Sequence, residues 1–333
     1  MPDSGTDDWL AQVIEEIVEP ELPIVDAHHH LWTRGDDKYE VEELLSDTRS
    51  GHNVIKTVYM ECGSHYDQEG PPEMRPVGET EFVFQQACEA KKHSNTEIAG
   101  IVAHADLRLG EDVNKVLEAH LEAGHGLFRG IRHAGAWMEE PFPFGHSARD
   151  GAQDLYDQTS FRRGLKVLGR QGFIYDTYHY HNRNKDFARM AAAVSETQLV
   201  LDHFGTPVGV GPYANCRDDI FATWSKDLVE IAKCDNVVAK IGGLAMPVNG
   251  FGWDLGSRPA TSDEFVEAQR PYFLHAIECF GVDRCMMESN FPVDRASISY
   301  HVLFNALKKI VSEFSGDEKH QLFHGTAERV YRV

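Results

Sequence analysis

The chain has 333 residues, of which 42% are hydrophobic and 26% charged, a composition typical of globular proteins, and its length allows two domains or one large barrel. Its formal net charge of −21 argues against nucleic acid or an anionic membrane surface as a partner, and no apolar run approaches the roughly 18 residues that a membrane span needs. The six cysteines form no C-x-x-C pair and the acidic N-terminus lacks a signal-peptide pattern, which predicts reduced thiols and a cytoplasmic protein.

Residues 8–19 repeat apolar side chains at helical spacing before Pro20, which predicts a short N-terminal helix. Beyond it, apolar runs of β type alternate with amphipathic helical stretches. The predicted strands lie near residues 24–31, 54–61, 98–106, 127–133, 172–178, 198–204, 236–242 and 284–290. The predicted helices lie near residues 38–49, 78–93, 111–124, 158–170, 184–196, 217–233, 262–280 and 297–314.

Eight strand–helix units in order, with no linker between them, predict an α/β protein: a single-domain (β/α)8 TIM barrel. We assign residues 22–333 to the barrel and residues 1–21 to an N-terminal helical extension. A doubly wound open sheet is the alternative, but the glycine-rich fingerprint expected after its first strand is missing.

The first predicted strand ends in Asp26-Ala27-His28-His29-His30. Side chains two apart on a strand share a face and lie about 6–7 Å apart, so His28 and His30 can converge on one ion or one substrate. Neutral imidazole is a common ligand for zinc-like ions. The same alternation places Asp26 on the face of this pair and turns His29 away. A histidine-rich strand end that only faces solvent is the structural alternative.

Polar side chains also gather where the other predicted strands end, which is where barrel enzymes carry their active sites. These residues are Glu61, His104, Asp106, Arg132, His133, Asp176, Tyr178, His179, His181, Asp202, His203, Lys240, Glu288, Asn290 and Asp294. The pattern predicts a site for a small-molecule substrate at the C-terminal mouth of the barrel.

Six segments resemble a known family, the amidohydrolase-related TIM-barrel hydrolases, and most closely the branch with sugar-lactone and 2-pyrone-4,6-dicarboxylate lactone hydrolases. The segments are DAHHHLW at 26–32, FRGIRHAG at 128–135, LVLDHFGTP at 199–207, AKIGGLAMP at 239–247, ESNFPVD at 288–294 and LFHGTAERVYRV at 322–333. They occur in family order and cover nearly the whole chain past residue 22.

The resemblance implies roles for individual residues. His28 and His30 match a pair that binds a divalent metal in some members and holds the substrate carbonyl in metal-free ones. His203 matches the strand-six histidine, and Arg132 and His133 match an Arg-His pair that faces the substrate. One divalent ion, zinc or manganese, would be held by His28 and His30 with one or two further ligands from His203, Glu61 or Asp294, and His203 is the first choice. Metal-free operation is the alternative.

The main departure from the family pattern is Asn290, which stands where the family has the aspartate that activates water. An amide can only donate and accept hydrogen bonds, so another group must be the base. We favour Asp294, in the loop at the barrel mouth, over Glu288, and leave His203 and His179 as further candidates. A solvated loop acid or a helix N-cap is the structural alternative for Asp294.

Cations and histidines at the strand ends are the expected substrate contacts. Arg132 could clamp a carboxylate bidentately, which lysine does less well. His133, His179 and Lys240 are predicted to contact the substrate as well, with ordinary core or rim positions as the alternative for each.

These features together predict a hydrolase that opens a small lactone or related cyclic ester, with or without a carboxylate on it. A metal-dependent non-oxidative decarboxylase of the same superfamily is the first alternative, and a barrel that only binds a ligand is the second. Aromatic loop residues predict a partly apolar lid: Trp137, Phe142, Phe144, Phe251 and Trp253. A homo-oligomer is left open.

Overall fold

Eight parallel strands surround one barrel axis in the computed structural model, which describes residues 3–139 and 151–333. The strands are β1 (Pro23–His29), β2 (Asn53–Met60), β3 (Glu97–Ala103), β4 (Phe128–Arg132), β5 (Ile174–Thr177), β6 (Leu199–Leu201), β7 (Val237–Ile241) and β8 (Cys285–Met287). Most of them are short, buried, apolar runs rich in β-branched residues, which suit a sheet covered on both faces. The predicted TIM barrel is confirmed.

The strands pair in chain order from β1 to β8, and the ring closes just beyond β8. There the backbone N–H of Asn290 donates to the carbonyl of His28 at 2.9 Å, and that of His30 donates to the carbonyl of Phe291 at 2.7 Å. The carboxylate of Asp26 accepts the backbone N–H of Ser289 at 2.8 Å and its hydroxyl at 2.6 Å. The histidine motif of β1 is therefore built into the closure of the barrel.

Each strand is followed by a helix that packs outside it, and two short helices end the chain. The helices are α1 (Asp7–Leu10), α2 (Val41–Thr48), α3 (Val77–His93), α4 (Asn114–Ala123), α5 (Thr159–Arg170), α6 (Asn184–Ala193), α7 (Arg217–Ala232), α8 (Ser262–Phe280), α9 (Tyr300–Ile310), α10 (Gly316–His320) and α11 (Thr326–Tyr331). The helices α2 to α9 lie close to their predicted positions. Their apolar faces and the outward residues of the strands form the larger core.

A smaller core fills the interior of the barrel. It combines one inward residue from most strands with the apolar face of α11, and its members include Val25, Val58, Val102, Val200, Val238, Met286, Ala327, Val330 and Tyr331. The interior is thus a packed apolar floor rather than a pore, and α11 is part of it. The sequence pattern does not predict a separate helix here.

The N-terminal extension differs from its prediction. Only α1 is helical, and the chain from residue 11 to β1 is irregular. Its backbone is bound by barrel side chains instead: Asn305 accepts the N–H of Val18 at 2.8 Å, and Lys308 donates to the carbonyls of Val18 at 3.0 Å and Glu19 at 2.8 Å. These contacts satisfy part of the polar backbone without a helix, and of the apolar residues in this stretch Val13 is buried while Ile14 is exposed.

A small hairpin at the barrel mouth follows β1. Residues Trp32–Arg34 pair with residues Asp37–Tyr39 in antiparallel fashion, and the chain turns at Gly35, where φ is 62°. Of the aromatic residues predicted to form a lid, Phe251 and Trp253 stack with ring centres 4.9 Å apart and pack against the larger core instead. Phe142 and Phe144 lie outside the described residues. Among the helices of the described ranges, none is both long and apolar enough to cross a bilayer.

Candidate active site

Side chains at the strand ends alternate between the barrel interior and the helix layer. This alternation decides which of the predicted site residues face the interior. Arg132 at the end of β4 points inward, so the next residue, His133, points outward. There its Nδ1 accepts the backbone N–H of Leu107 at 3.2 Å and its ring meets Phe161 edge-on. His133 is therefore part of the strand–helix core, not of the cavity.

The histidine pair of β1 faces the interior, with the two Nε2 atoms of His28 and His30 only 3.1 Å apart. Nδ1 of His30 lies 2.8 Å from the carbonyl oxygen of Met60, which can only accept, so this ring carries its proton on Nδ1 and a lone pair on Nε2. Burial lowers the pKa of both histidines, so both imidazoles are neutral.

Asp26 does not share the face of this pair, contrary to the alternation expected from the sequence. The register between β1 and β2 shifts between Asp26 and His29, so His28 turns inward while Asp26 turns towards the helix layer. There its carboxylate accepts the hydroxyl of Tyr300 at 3.0 Å in addition to the two bonds from Ser289. Asp26 fastens β1 to the segment after β8.

Glu288 joins two of the histidines. Its Oε1 lies 2.8 Å from Nδ1 of His203, and its Oε2 lies 3.0 Å from Nδ1 of His28. Burial raises the pKa of Glu288 to about 8, while the charge of Lys240 and the backbone N–H of His203 oppose that rise. With Nδ1 of each ring facing a carboxylate oxygen, Nε2 is the atom that both rings present on the other side.

The chain bends sharply after β6 to bring His203 over Glu288. His203 has a φ of 52°, in the left-handed region that costs energy for a residue with a side chain. Gly243, with a φ of 64°, lies directly against the ring: a Cβ at this position would be 2.1 Å from Nδ1 of His203. Burial lowers the pKa of His203 to about 3, so its imidazole is neutral.

A layer of buried charges lies next to the histidines. The ammonium of Lys240 is 2.8 Å from Asp176, 3.2 Å from Asp202 and 3.4 Å from Nδ1 of His28. Burial opposes the charge of Lys240, but the two aspartates outweigh it and raise the pKa of the lysine. Burial also raises the pKa of Asp202 to about 7. Lys240 therefore balances buried acids and does not line the cavity.

Arg132 is held by the protein on several sides. Its Nε donates to Oε1 of Glu61 at 2.9 Å, and its Nη2 donates to the carbonyl of the same residue. Its Nη1 lies 3.3 Å from Nε2 of His28 and 3.5 Å from Asp202. The guanidinium thus offers Nη1 beside the histidine pair, while its Nε and Nη2 are bound to Glu61.

These groups surround a cavity of about 380 Å³ at the barrel mouth, a size that suits a small organic substrate. Its walls are His30, Trp32, Arg34, Glu61, Cys62, His104, Arg132, Ala134, Tyr178, His203, Met246, Asn290 and Val293. His28 and Glu288 lie directly behind the wall. The residues predicted from the sequence that line the cavity are His30, Glu61, His104, Arg132, Tyr178, His203 and Asn290.

The structure does not bring Asp294 or His179 to this cavity. Asp294 is fully buried: Oδ2 accepts the backbone N–H of Ala245 at 3.0 Å and Oδ1 accepts the amide of Asn290 at 2.8 Å, and burial raises the pKa of its carboxyl to about 8. His179, next to the inward Tyr178, points outward and pairs with Tyr156 and Asn184, both at 2.9 Å. Asp294 therefore fixes Asn290 and the loop after β7.

Several residues that line the cavity were missed in the sequence. Trp32 and Arg34 belong to the mouth hairpin, and Met246 and Val293 to the loops after β7 and β8. Loop residues have no fixed periodicity, so no spacing pointed to them. The alternation of Trp32 and Arg34 immediately after the histidine motif is the one signal that could have done so.

The donor atoms fit one divalent ion. Two nitrogens bound to the same tetrahedral zinc are roughly 3.3 Å apart, close to the 3.1 Å between the Nε2 atoms of His28 and His30. Donor atoms of His28, Asp202 and His203 also lie within 4.8 Å of one another. Arg132 competes for the lone pair of His28, so the charge of this arginine would weaken an ion held there.

Comparison with known proteins identifies the family of the chain. The amidohydrolase family model matches residues 25–333. The chain belongs to the amidohydrolase family. An uncharacterized protein of Sinorhizobium fredii, y4mH, is 32% identical over 94% of this chain and 99% of its own length. The L-fucono-1,5-lactonase of Burkholderia multivorans is 28% identical over 77% of each chain.

A solved structure shares the fold over nearly its whole length. An amidohydrolase from Burkholderia multivorans with bound zinc has a TM-score of 0.71 and 24% identity, over 93% of this chain and 99% of its own. At this level of identity the likeness shows the fold, while the zinc belongs to that protein.

Proposed function

We propose that this protein hydrolyses a small lactone by attack of water on the carbonyl carbon. The observation that carries the proposal is that His30 and His203 line one cavity with His28 directly behind them, while Nδ1 of His30 faces a carbonyl oxygen and Nδ1 of His28 and of His203 face Glu288. The relation to a lactonase, 28% identical over most of the chain, supports this reaction class.

His203 is the general base in this proposal. Its Nδ1 proton faces the Glu288 carboxylate, so Nε2 is the atom that takes the proton of the attacking water. Above the pKa of Glu288, about 8, its carboxylate, 2.8 Å away, stabilises the imidazolium that forms. His203 then returns the proton to the ring oxygen of the lactone, which leaves as a hydroxyl group when the tetrahedral intermediate collapses.

The carbonyl oxygen needs a positive partner as its charge develops. His28 and His30 present lone pairs rather than N–H groups on Nε2, so as neutral rings they suit an ion better than they suit a carbonyl oxygen. A divalent ion bound by them would supply Lewis-acid polarisation of the carbonyl. Nη1 of Arg132, 3.3 Å from His28, is the cationic N–H that the chain itself offers at this place.

Asn290 cannot act as a base. It lines the cavity, and its amide N–H donates a hydrogen bond to Asp294. This orientation directs its carbonyl oxygen away from Asp294, where it can accept a hydroxyl or water proton. We assign it the role of orienting the water or a substrate hydroxyl.

The test is the turnover of lactones by wild type, His203→Asn and a control, His93→Asn, in which an exposed histidine on α3 is replaced. General-base catalysis contributes about 10²–10⁴-fold, so His203→Asn should lower kcat by this factor with unchanged thermal stability, and the control should match wild type. Full activity in His203→Asn would contradict the proposal. Release of carbon dioxide from a carboxylic acid substrate, without lactone hydrolysis, would favour a decarboxylase.

A further inference from the structure

A second cation lines the cavity besides Arg132. Arg34 lies on the mouth hairpin and is exposed, whereas Arg132 is buried and bound to Glu61 through Nε and Nη2. The clamp on a substrate carboxylate that the sequence assigned to Arg132 therefore has a better candidate in Arg34.

The guanidinium of Arg34 is held in place before any substrate arrives. Its Cζ lies 4.3 Å from the centre of the Trp32 ring, and its Nη2 donates to the carbonyl of Cys62 at 2.9 Å. Trp32 is itself fixed, since its Nε1 donates to Asp37 at 2.9 Å. The bond to Cys62 uses one of five N–H donors, which leaves an edge that can meet a carboxylate bidentately.

The position of Arg34 sets its distance from the chemistry. The ring of Trp32 lies between the ring of His30, 6.1 Å away centre to centre, and the guanidinium, 4.3 Å away. If the carbonyl of a substrate lies at the histidines, a substituent of that substrate can therefore reach Arg34, which is separated from His30 by the width of the Trp32 ring. All three residues line the same cavity.

Arg34 stands opposite Asp37 in the hairpin, but the two side chains are not close enough to form an ion pair. Within residues 3–139 and 151–333, Arg34 takes part in no ion pair closer than 4.0 Å. Glu61, an acid in the cavity wall, is paired with Arg132. In a chain with a net charge of −21, an anionic substrate is repelled at long range, so its binding requires such a local cation.

We propose that Arg34 binds a carboxylate of the substrate, so that the enzyme prefers lactones that carry a second acid group over neutral ones. This inference rests on the proposed lactonase activity and names the substrate class of that site. A bidentate, charge-assisted contact would form at the cavity mouth while hydrolysis takes place at the histidines.

The experiment compares two lactones that differ at one carbon: D-glucaro-1,4-lactone, which carries a carboxylate, and D-glucono-1,4-lactone, which carries a hydroxymethyl group. The enzymes are wild type, Arg34→Gln, Arg34→Lys and a control, Arg163→Gln, which removes the same charge from an exposed position on α5. A charge-assisted contact is equivalent to about 10- to 100-fold in affinity.

Arg34→Gln should therefore lower kcat/KM for the acidic lactone by about 10- to 100-fold, mainly through KM, and change that of the neutral lactone less than about threefold. For the acidic lactone, the kcat/KM of Arg34→Lys should fall between those of wild type and Arg34→Gln, and that of Arg163→Gln should match wild type. Equal losses for both lactones, or no loss for the acidic one, would overturn the assignment of Arg34 without affecting the lactonase proposal.

Absence of turnover with both lactones would contradict the proposed function instead. In that case the same enzymes and lactones still test the subsite by calorimetry and by tryptophan fluorescence. At least tenfold tighter binding of the acidic lactone by wild type than by Arg34→Gln would support the subsite, and equal affinities would overturn it.

Discussion

Replacing Lys240 with methionine should destabilise the barrel strongly, because the ammonium holds together a buried group of acids. It lies 2.8 Å from Asp176 and 3.2 Å from Asp202, and all three side chains are fully buried. Methionine fills a similar volume but leaves Asp176 without its cation and leaves Asp202 with Nη1 of Arg132, 3.5 Å away, as its remaining positive neighbour. Removing one partner of a buried ion pair costs about 3–5 kcal/mol.

Thermal unfolding measures this loss. At about 2.1 cal/mol/K per residue, unfolding of a chain of 333 residues carries an entropy near 0.7 kcal/mol/K, so the expected loss lowers Tm by roughly 4–7 °C. Lys226→Met, an exposed lysine on α7, is the control and should change stability by less than about 0.5 kcal/mol. Adding Asp176→Asn to Lys240→Met should restore part of the loss, because one of the unpaired charges is then removed.

A Lys240→Met protein as stable as wild type would refute the reasoning, since the charged layer would then not depend on its cation. A variant that is as stable as wild type but has a raised KM would support the substrate-binding role that the sequence predicts for Lys240.

Three other changes test separate parts of the site. Asp294→Asn should keep kcat within about tenfold of wild type, because the carboxyl is buried and bonded on both oxygens, whereas a loss above about a thousandfold would identify it as the base. Gly243→Ala should lower both stability, by about 1–3 kcal/mol, and kcat, because its Cβ would collide with His203; unchanged melting and kinetics would contradict this close approach. Wild type equilibrated with zinc and then dialysed should retain about one equivalent by elemental analysis, and a His28→Asn, His30→Asn double variant should retain none; equal content in both would exclude the pair as the ion's ligands.

The fold was predictable because it rests on repetition. Eight apolar runs separated by amphipathic helices define a barrel without any knowledge of contacts, and the helices α2 to α9 lie near their predicted positions. The period of two also predicts which strand-end residues face inward, and it separates Arg132 from His133 correctly when applied residue by residue. The expectation that both face the substrate came from the resemblance alone.

The parts that could not be predicted depend on local breaks in that repetition. A register shift in β1 turns Asp26 away from His28, and the left-handed backbone at His203 brings its ring onto Glu288. Neither break has a glycine or proline at the position itself that would announce it. Asp294 was chosen as the base from its place in the chain, but burial and two hydrogen bonds commit it to the loops.

The most direct test of the account is a panel of lactones incubated with the enzyme in ¹⁸O-labelled water, with the products read by mass spectrometry. Attack of water at the carbonyl carbon predicts a ring-opened hydroxy acid with one ¹⁸O atom in its new carboxylate, formed by wild type and not by His203→Asn. An unlabelled product, or no product from any lactone together with carbon dioxide released from a related acid, would contradict it.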